Sequence, residues 1–250
     1  MSWWTSESSF TVLSWSMIVT GAGAGFALLS GLKAFYGRYS IASWTAIPAR
    51  AAWMIQESPS FFLPLLALPS APWQGRLVLL FFLIHYTNRT FIYPCQLKNP
   101  KPTAIVLVAS AFAFCLWNGY IQGFYHAWYF HPSADHFSSP ITVIGVILFF
   151  TGMAINLHSD HILRNLRKEG ETEYKIPRGG MFDYVSGANF FGEIVEWFGY
   201  ALIARTLPSF SFFFFTIANI GPRAIHHHQW YKEKFDDYPK DRKALIPFVL

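Results

Sequence analysis

Charge is scarce in this chain. Asp, Glu, Lys and Arg make up 13% of its 250 residues, about half the share of an ordinary soluble domain, which argues against a single water-soluble globule. Cysteine is scarcer still, with Cys95 and Cys115 alone. Two thiols in separate apolar runs at different depths do not make a disulfide framework, and both are expected to be buried and free. The amino terminus, MSWWTSESSF, has no basic residue ahead of the first apolar run, and no small-residue cleavage site follows, so a cleaved signal peptide is not expected. No internal repeat, low-complexity tract or composition break divides the chain, and residues 1–250 are read as one membrane-embedded domain.

What is present is apolar. Hydrophobic residues are 53% of the chain and aromatics 19%, with a mean hydropathy of +0.28. Runs such as Leu77 to Ile84, Ala104 to Leu116 and Phe210 to Ile220 extend to the ~20 residues a bilayer crossing needs. Hydropathy predicts an all-α polytopic membrane protein with seven spans at about 10–29, 51–69, 77–95, 104–124, 140–160, 186–204 and 209–226. The formal charge of +5 would suggest a nucleic-acid partner in a soluble protein. Here 17 of the 19 Lys and Arg fall in or beside 30–50, 89–103, 161–184 and 223–250, with only Arg76 and Arg205 on the other side. That asymmetry puts the amino terminus outside and the carboxyl terminus in the cytoplasm, and no nucleic acid is expected. Two cytoplasmic segments, from Asp160 to Tyr184 and from Arg223 onward, mix charge with aromatic residues and read as folded caps.

Polar residues inside the spans carry the functional signal. Span six, VSGANFFGEIVEWFGYALI, sets Asn189, Glu193 and Glu196 at i, i+4 and i+7 on one helical stripe, and an acid at membrane depth is by default a functional site. Span two sets Trp53, Gln56, Glu57 and Ser60 on one face. Two roles fit Glu57: polar contact to a neighbouring helix, or a buried neutral acid that donates a proton. At the end of span three Tyr86, Arg89 and Tyr93 share a face, as interfacial anchors or as partners of an acid. Span five ends in a stripe of Asn156, Asp160, Arg164 and Arg167, which snorkelling and ion pairing would also explain. Two such stripes meeting beneath basic loops would suit a polar, anionic cofactor.

Other motifs exclude more than they offer. His226, His227 and His228 diverge by about 100° each on a helix and do not converge on one ion, so no metal is expected. Gly21, Gly23 and Gly25 in TGAGAGF imitate a glycine-rich fingerprint, but no strand precedes them. Inside span one they are expected to let helices pack closely.

The strings ARAAWMIQE, HYTNRTFIY, INLHSDHILRNLRK, YVSGANFFGEIVEW and FDDYPKDRKALIPF resemble the steroid 5α-reductase family, and its mammalian type 2 members in particular, from about Pro48 to the carboxyl terminus. The resemblance implies a seven-helix reductase that uses NADPH to saturate the 4,5 double bond of a 3-oxo-4-ene steroid. It implies that Glu57 and Tyr86 hold the 3-keto oxygen and that Trp53 and Gln56 line the substrate end. It assigns the cofactor to Arg89, Asn156, Asp160, Arg167, Tyr174, Asn189, Glu193, Arg223, His227 and Tyr231. Glu193 then serves the cofactor, and Glu196 is left as polar contact to a neighbouring span.

This chemistry suits the residues read alone. Hydride addition β to a ketone builds charge on its oxygen, and two donors aimed at that oxygen lower the barrier. Arg164, Arg167, Lys168, Lys175 and Arg178 are candidates for phosphate groups, and a lipophilic steroid enters from membrane lipid. The alternatives are a related reductase of a polyprenol or long-chain enoyl lipid, an S-adenosylmethionine-dependent membrane methyltransferase, and an ion path along the buried acids. The last is opposed by the outer half-spans FFLPLLAL, VILFF and FFFFT, which are closed to ions. A eukaryotic source would put the protein in the endoplasmic reticulum membrane, a bacterial one in the inner membrane.

Overall fold

A computed structural model describes residues 3–33, 45–98, 100–167, 171 and 173–250. Lys168, one of the phosphate candidates, lies outside the described residues. The chain is mostly helical: α1 (Glu7–Leu29), α2 (Ala49–Ala67), α3 (Trp73–Thr87), α4 (Tyr93–Gln96), α5 (Ile105–Trp128), α6 (Pro140–Asn165), α7 (Ala188–Ala204) and α8 (Leu207–Lys234). Among the described residues α1, α5 and α6 are long and apolar enough to cross a membrane. The site-bearing helices are shorter or more polar: α7 has 17 residues and carries Glu193 and Glu196, and α2 holds Glu57 and two internal prolines.

Local sequence sets where the helices begin. Ser6 caps α1 by accepting from Ser9 N at 3.3 Å, and Ser139 caps α6, with Pro140 in its first turn. Thr206 and Ser209 form a reciprocal capping box ahead of α8, which satisfies backbone donors that a helix start leaves open. Within α2, Pro59 cannot donate to the Ile55 carbonyl four residues back. The Ser58 hydroxyl donates to that oxygen instead, at 2.8 Å. Between α3 and α4 the helix widens into a π turn at Asn88–Ile92, which shifts the phase of the side chains that follow.

Helices pack in pairs, α6 with α7, α2 with α5 and α1 with α8, and glycine sets how near they come. Gly145 and Gly152 of α6 interleave with Gly192 and Gly199 of α7, where an added Cβ would meet backbone of the opposite helix at 2.2–2.9 Å. Gly21 and Gly25 of the TGAGAG run face Phe215 and Ala218 of α8, the close packing expected of small residues in lipid. Around these seams lies an aromatic core including Phe82, Tyr86, Phe149, Trp197, Tyr200 and Phe212.

Short elements close one end. β1 (Ala46–Ile47) and β2 (Thr103–Ala104) pair antiparallel. The carboxyl-terminal tail returns to the start of α7, with Ser186 N and Gly187 N donating to Lys243 O and Ala244 O at 2.8 and 2.9 Å. Arg242, 3% exposed, ties the tail to the preceding loop by donating to Pro177 O at 3.1 Å. Cys115 is buried but Cys95 is exposed, correcting the expectation that both are buried: α4 turns Cys95 away from the bundle.

Candidate active site

Two polar pairs join α3 and its π turn to α7. His85 Nδ1 and Glu196 Oε1 lie 2.9 Å apart, both nearly without exposure. Four residues on, Arg89 reaches Glu193 through Nη2 and Asp160 of α6 through Nη1 at 3.3 Å. The spacing explains the match: His85 and Arg89 stand one helical turn apart, as do Glu193 and Glu196. Glu196 thus makes the helix-to-helix contact left to it by the sequence.

The α6 and α7 stripes meet across the glycine seam. Asn156 Nδ2 donates to Asn189 O at 2.9 Å, and the Asn189 side chain lies against Asp160. Aromatic faces surround the cation, with the Arg89 guanidinium carbon 5.9 Å from the Trp53 ring and 5.4 Å from the Tyr93 ring. Tyr86, expected on the same face as Arg89, turns to α5 instead.

The other residues matched to a cofactor form two groups nearer the basic end. Arg167 lies 5.5 Å over Tyr174, whose ring packs at 4.9 Å on Trp230, itself 5.3 Å from Tyr231. Arg223 donates to Asn219 Oδ1 at 3.2 Å and lies 5.0 Å over Phe190, which contacts His227 at 5.5 Å. His228 is 2.7 Å from Ser186 Oγ, so neighbouring histidines of the triplet serve different contacts.

Glu57 and Tyr86 come to adjacent turns of α5. Gln56 Nε2 donates to Glu57 Oε1 at 3.1 Å, and the Cys115 thiol is 3.6 Å from Glu57 Oε2. One turn along, Asn118 Nδ2 donates to the Tyr86 hydroxyl oxygen at 3.3 Å. Ser60 Oγ donates to Cys115 O at 3.1 Å and is a further polar neighbour of the Tyr86 oxygen. Glu57 and Gln56 are half-buried, whereas Tyr86 is 4% exposed. An acid and a phenol held beside one apolar helix can donate two hydrogen bonds to one ligand oxygen.

Sequence reasoning missed His85, Asn118, Gln122 and Trp197. Asn118 and Gln122 stand four residues apart in an apolar span, the same signal that singled out Asn189 and Glu193, but they carry no charge. Trp197, fully buried at 4.5 Å from His85, is masked by the abundance of aromatics.

The long apolar helices α1, α5 and α6, with buried polar pairs packed between helices, are those of a helical membrane protein. A family model described as 3-oxo-5-alpha-steroid 4-dehydrogenase matches residues 101–250. The chain is 50% identical over 236 residues to 3-oxo-5-alpha-steroid 4-dehydrogenase 1 of Rattus norvegicus, covering 90% of this chain and 91% of the relative. It is 45% and 44% identical to 3-oxo-5-alpha-steroid 4-dehydrogenase 2 of Sus scrofa and Homo sapiens, each over 246 residues, 95% of this chain and 96% of the relative. The chain belongs to the steroid 5α-reductase family, oxidoreductases that act on a carbon–carbon double bond.

Proposed function

We propose that this protein reduces the 4,5 double bond of 3-oxo-4-ene steroids, such as testosterone, with NADPH. The observation that carries the reading is the approach of Glu57 and Tyr86 to neighbouring turns of α5, through Cys115 at 3.6 Å and Asn118 at 3.3 Å. Glu57, protonated, and the Tyr86 hydroxyl donate to the 3-keto oxygen. As a hydride reaches C5, charge moves through the enone to that oxygen, and the donors stabilise the enolate. The α-carbon C4 then takes a proton and the ketone re-forms. Losing one such donor costs about 10²- to 10³-fold in rate. Trp53 and Gln56 line the substrate end, and the steroid enters from lipid.

The donor set fits NADPH, which when bound supplies the hydride. Guanidinium groups of Arg167 and Arg223 suit phosphates, and the carboxylates of Asp160 and Glu193 suit ribose hydroxyls or the carboxamide. Arg89, Asn156 and Asn189 hold the deep end, with Tyr174, His227 and Tyr231 at the shallow end. In this reading seven helices span the membrane and the basic segments face the cytoplasm, where the reduced cofactor is found.

The test uses the purified chain in detergent with NADPH and testosterone, followed by product identification at C5. Glu57→Leu is expected to lower turnover by at least about 10²-fold while leaving NADPH affinity within about twofold. No cofactor oxidation with any 3-oxo-4-ene steroid refutes the activity. Equal loss of turnover and cofactor binding in Glu57→Leu refutes the role given to Glu57.

A further inference from the structure

Beyond Tyr86 runs a buried chain of amides whose direction is set by a backbone carbonyl. Gln122 Nε2 lies 2.7 Å from Pro208 O at the start of α8. A carbonyl oxygen only accepts, and it already takes the Ser211 hydroxyl at 2.8 Å, so the amino end of Gln122 must face it. Two further contacts agree with that orientation. Gln122 Oε1 accepts from the Tyr200 hydroxyl at 3.2 Å, and Gln122 Nε2 donates its other proton to Asn118 Oδ1 at 3.3 Å.

Asn118 inherits its orientation. With Oδ1 turned to Gln122, Nδ2 faces Tyr86 and donates to the phenol oxygen at 3.3 Å. Asn118, Gln122 and Tyr200 have no exposed surface, so water does not exchange with these bonds and a reversed amide would set two acceptors or two donors against each other. Tyr86 has one proton, and Asn118 has no acceptor to offer it. Ser60, whose own proton goes to Cys115 O at 3.1 Å, can hold that proton until a ligand ketone takes it.

We infer that Asn118 and Gln122 are positioning residues which, anchored on the Pro208 carbonyl, make Tyr86 a one-way hydrogen-bond donor to the ligand oxygen. The inference rests on the reading of Tyr86 as a ketone donor and adds what enforces it. A second link is made between the site and the α7–α8 corner, because the anchor sits in the capped first turn of α8. A hydrogen bond donated to the phenol oxygen also strengthens the bond that the phenol donates.

Asn118→Asp tests it with little change of volume. In its ionised form the new carboxylate accepts the Tyr86 proton and withdraws it from the ligand, whereas in its protonated form the acid can donate as the amide does. Expected is a fall in kcat of about 10²-fold at alkaline pH, recovering as pH falls, with NADPH affinity within about twofold of wild type. The wild-type profile lacks that limb. In a Tyr86→Phe background Asn118→Asp is expected to change kcat by less than about twofold, since its route of action is gone. A wild-type pH profile, or a full additional loss in the Tyr86→Phe background, overturns the inference.

If Asn118→Asp does not yield a chain that binds NADPH, Gln122→Met decides. It keeps the volume and frees Asn118 to turn. About a tenfold loss of kcat is expected with Tyr86 present and none in the Tyr86→Phe background, as for residues coupled through one group. Equal loss in both backgrounds overturns the inference. Tyr86→Phe alone reads the underlying assignment: wild-type turnover there would remove Tyr86 as the ketone donor, and the inference with it.

Discussion

Gly152→Ala adds one methyl group at the α6–α7 seam, and the geometry sets the size of its effect. The new Cβ would lie 2.2 Å from Glu196 N, 2.5 Å from Gly192 O and 2.7 Å from Glu196 Cα, where ordinary contact begins at 3.4 Å. Relief of the nearest contact needs a separation of 3.4 less 2.2, or about 1.2 Å, and all three atoms are backbone that cannot rotate aside. Such overpacking costs about 1–3 kcal/mol, with this site at the upper end. The same movement stretches the Asn156–Asn189 bond from 2.9 Å beyond hydrogen-bond range, a further loss of about 1 kcal/mol. Together they predict a melting midpoint lower by roughly 8–16 °C for a chain of this length. NADPH affinity is expected to fall by at least about tenfold, because Asn156 and Asp160 on α6 and Asn189 and Glu193 on α7 straddle the seam; this corresponds to about 1.4 kcal/mol. Thermal unfolding in detergent and cofactor titration read the two effects. Gly23→Ala is the control: among the described residues nothing lies within 4 Å of its added Cβ, and Ala favours a helix over Gly by about 1 kcal/mol, so the midpoint should hold or rise. A wild-type midpoint and affinity in Gly152→Ala would refute the argument that glycine contact sets the site.

Two further outcomes follow from buried polar groups. Glu196→Leu removes the hydrogen-bond partner of buried His85 and is expected to cost about 1–3 kcal/mol, whereas Glu196→Leu with His85→Leu should recover part of it; additive losses by thermal unfolding would exclude a coupled pair. In the loop before α6, His136 Nε2 is 2.8 Å from Ile203 O, and burial lowers its pKa, outweighing that bond, with Arg205 adding to the fall. The unfolded chain therefore binds the proton more readily. The contribution of His136 is complete above about pH 6.5 and is lost as pH falls toward the lower folded value. Wild type should lose more midpoint between pH 7.5 and 5.5 than His136→Gln, and equal slopes would contradict this.

The residue pattern alone determined a great deal here. Scarce charge and long apolar runs demand helices that satisfy their own backbone, since lipid offers no partners. Acids and amides at helical spacing within apolar runs marked Glu57, Asn156, Asp160, Asn189 and Glu193, because a polar group in such a run is costly without a use. The family strings supplied the expected chemistry, and Gly21 and Gly25 of the TGAGAG run were legible as packing positions because no strand precedes them, whereas Gly23 meets no described neighbour.

Partner choice was decided by the tertiary structure. Spacing shows that Glu193 and Glu196 share a stripe, yet not that one meets Arg89 and the other His85; the register of α7 against α3 and its π turn sets that. The π turn at Asn88–Ile92 separates Tyr86 from Arg89, a change of phase that a regular 3.6-residue period does not anticipate. The direction of the Asn118–Gln122 chain depends on the Pro208 carbonyl, 86 residues from Gln122 in sequence. A hydrogen bond has a donor and an acceptor end, and only the fold brought to Gln122 an oxygen unable to donate.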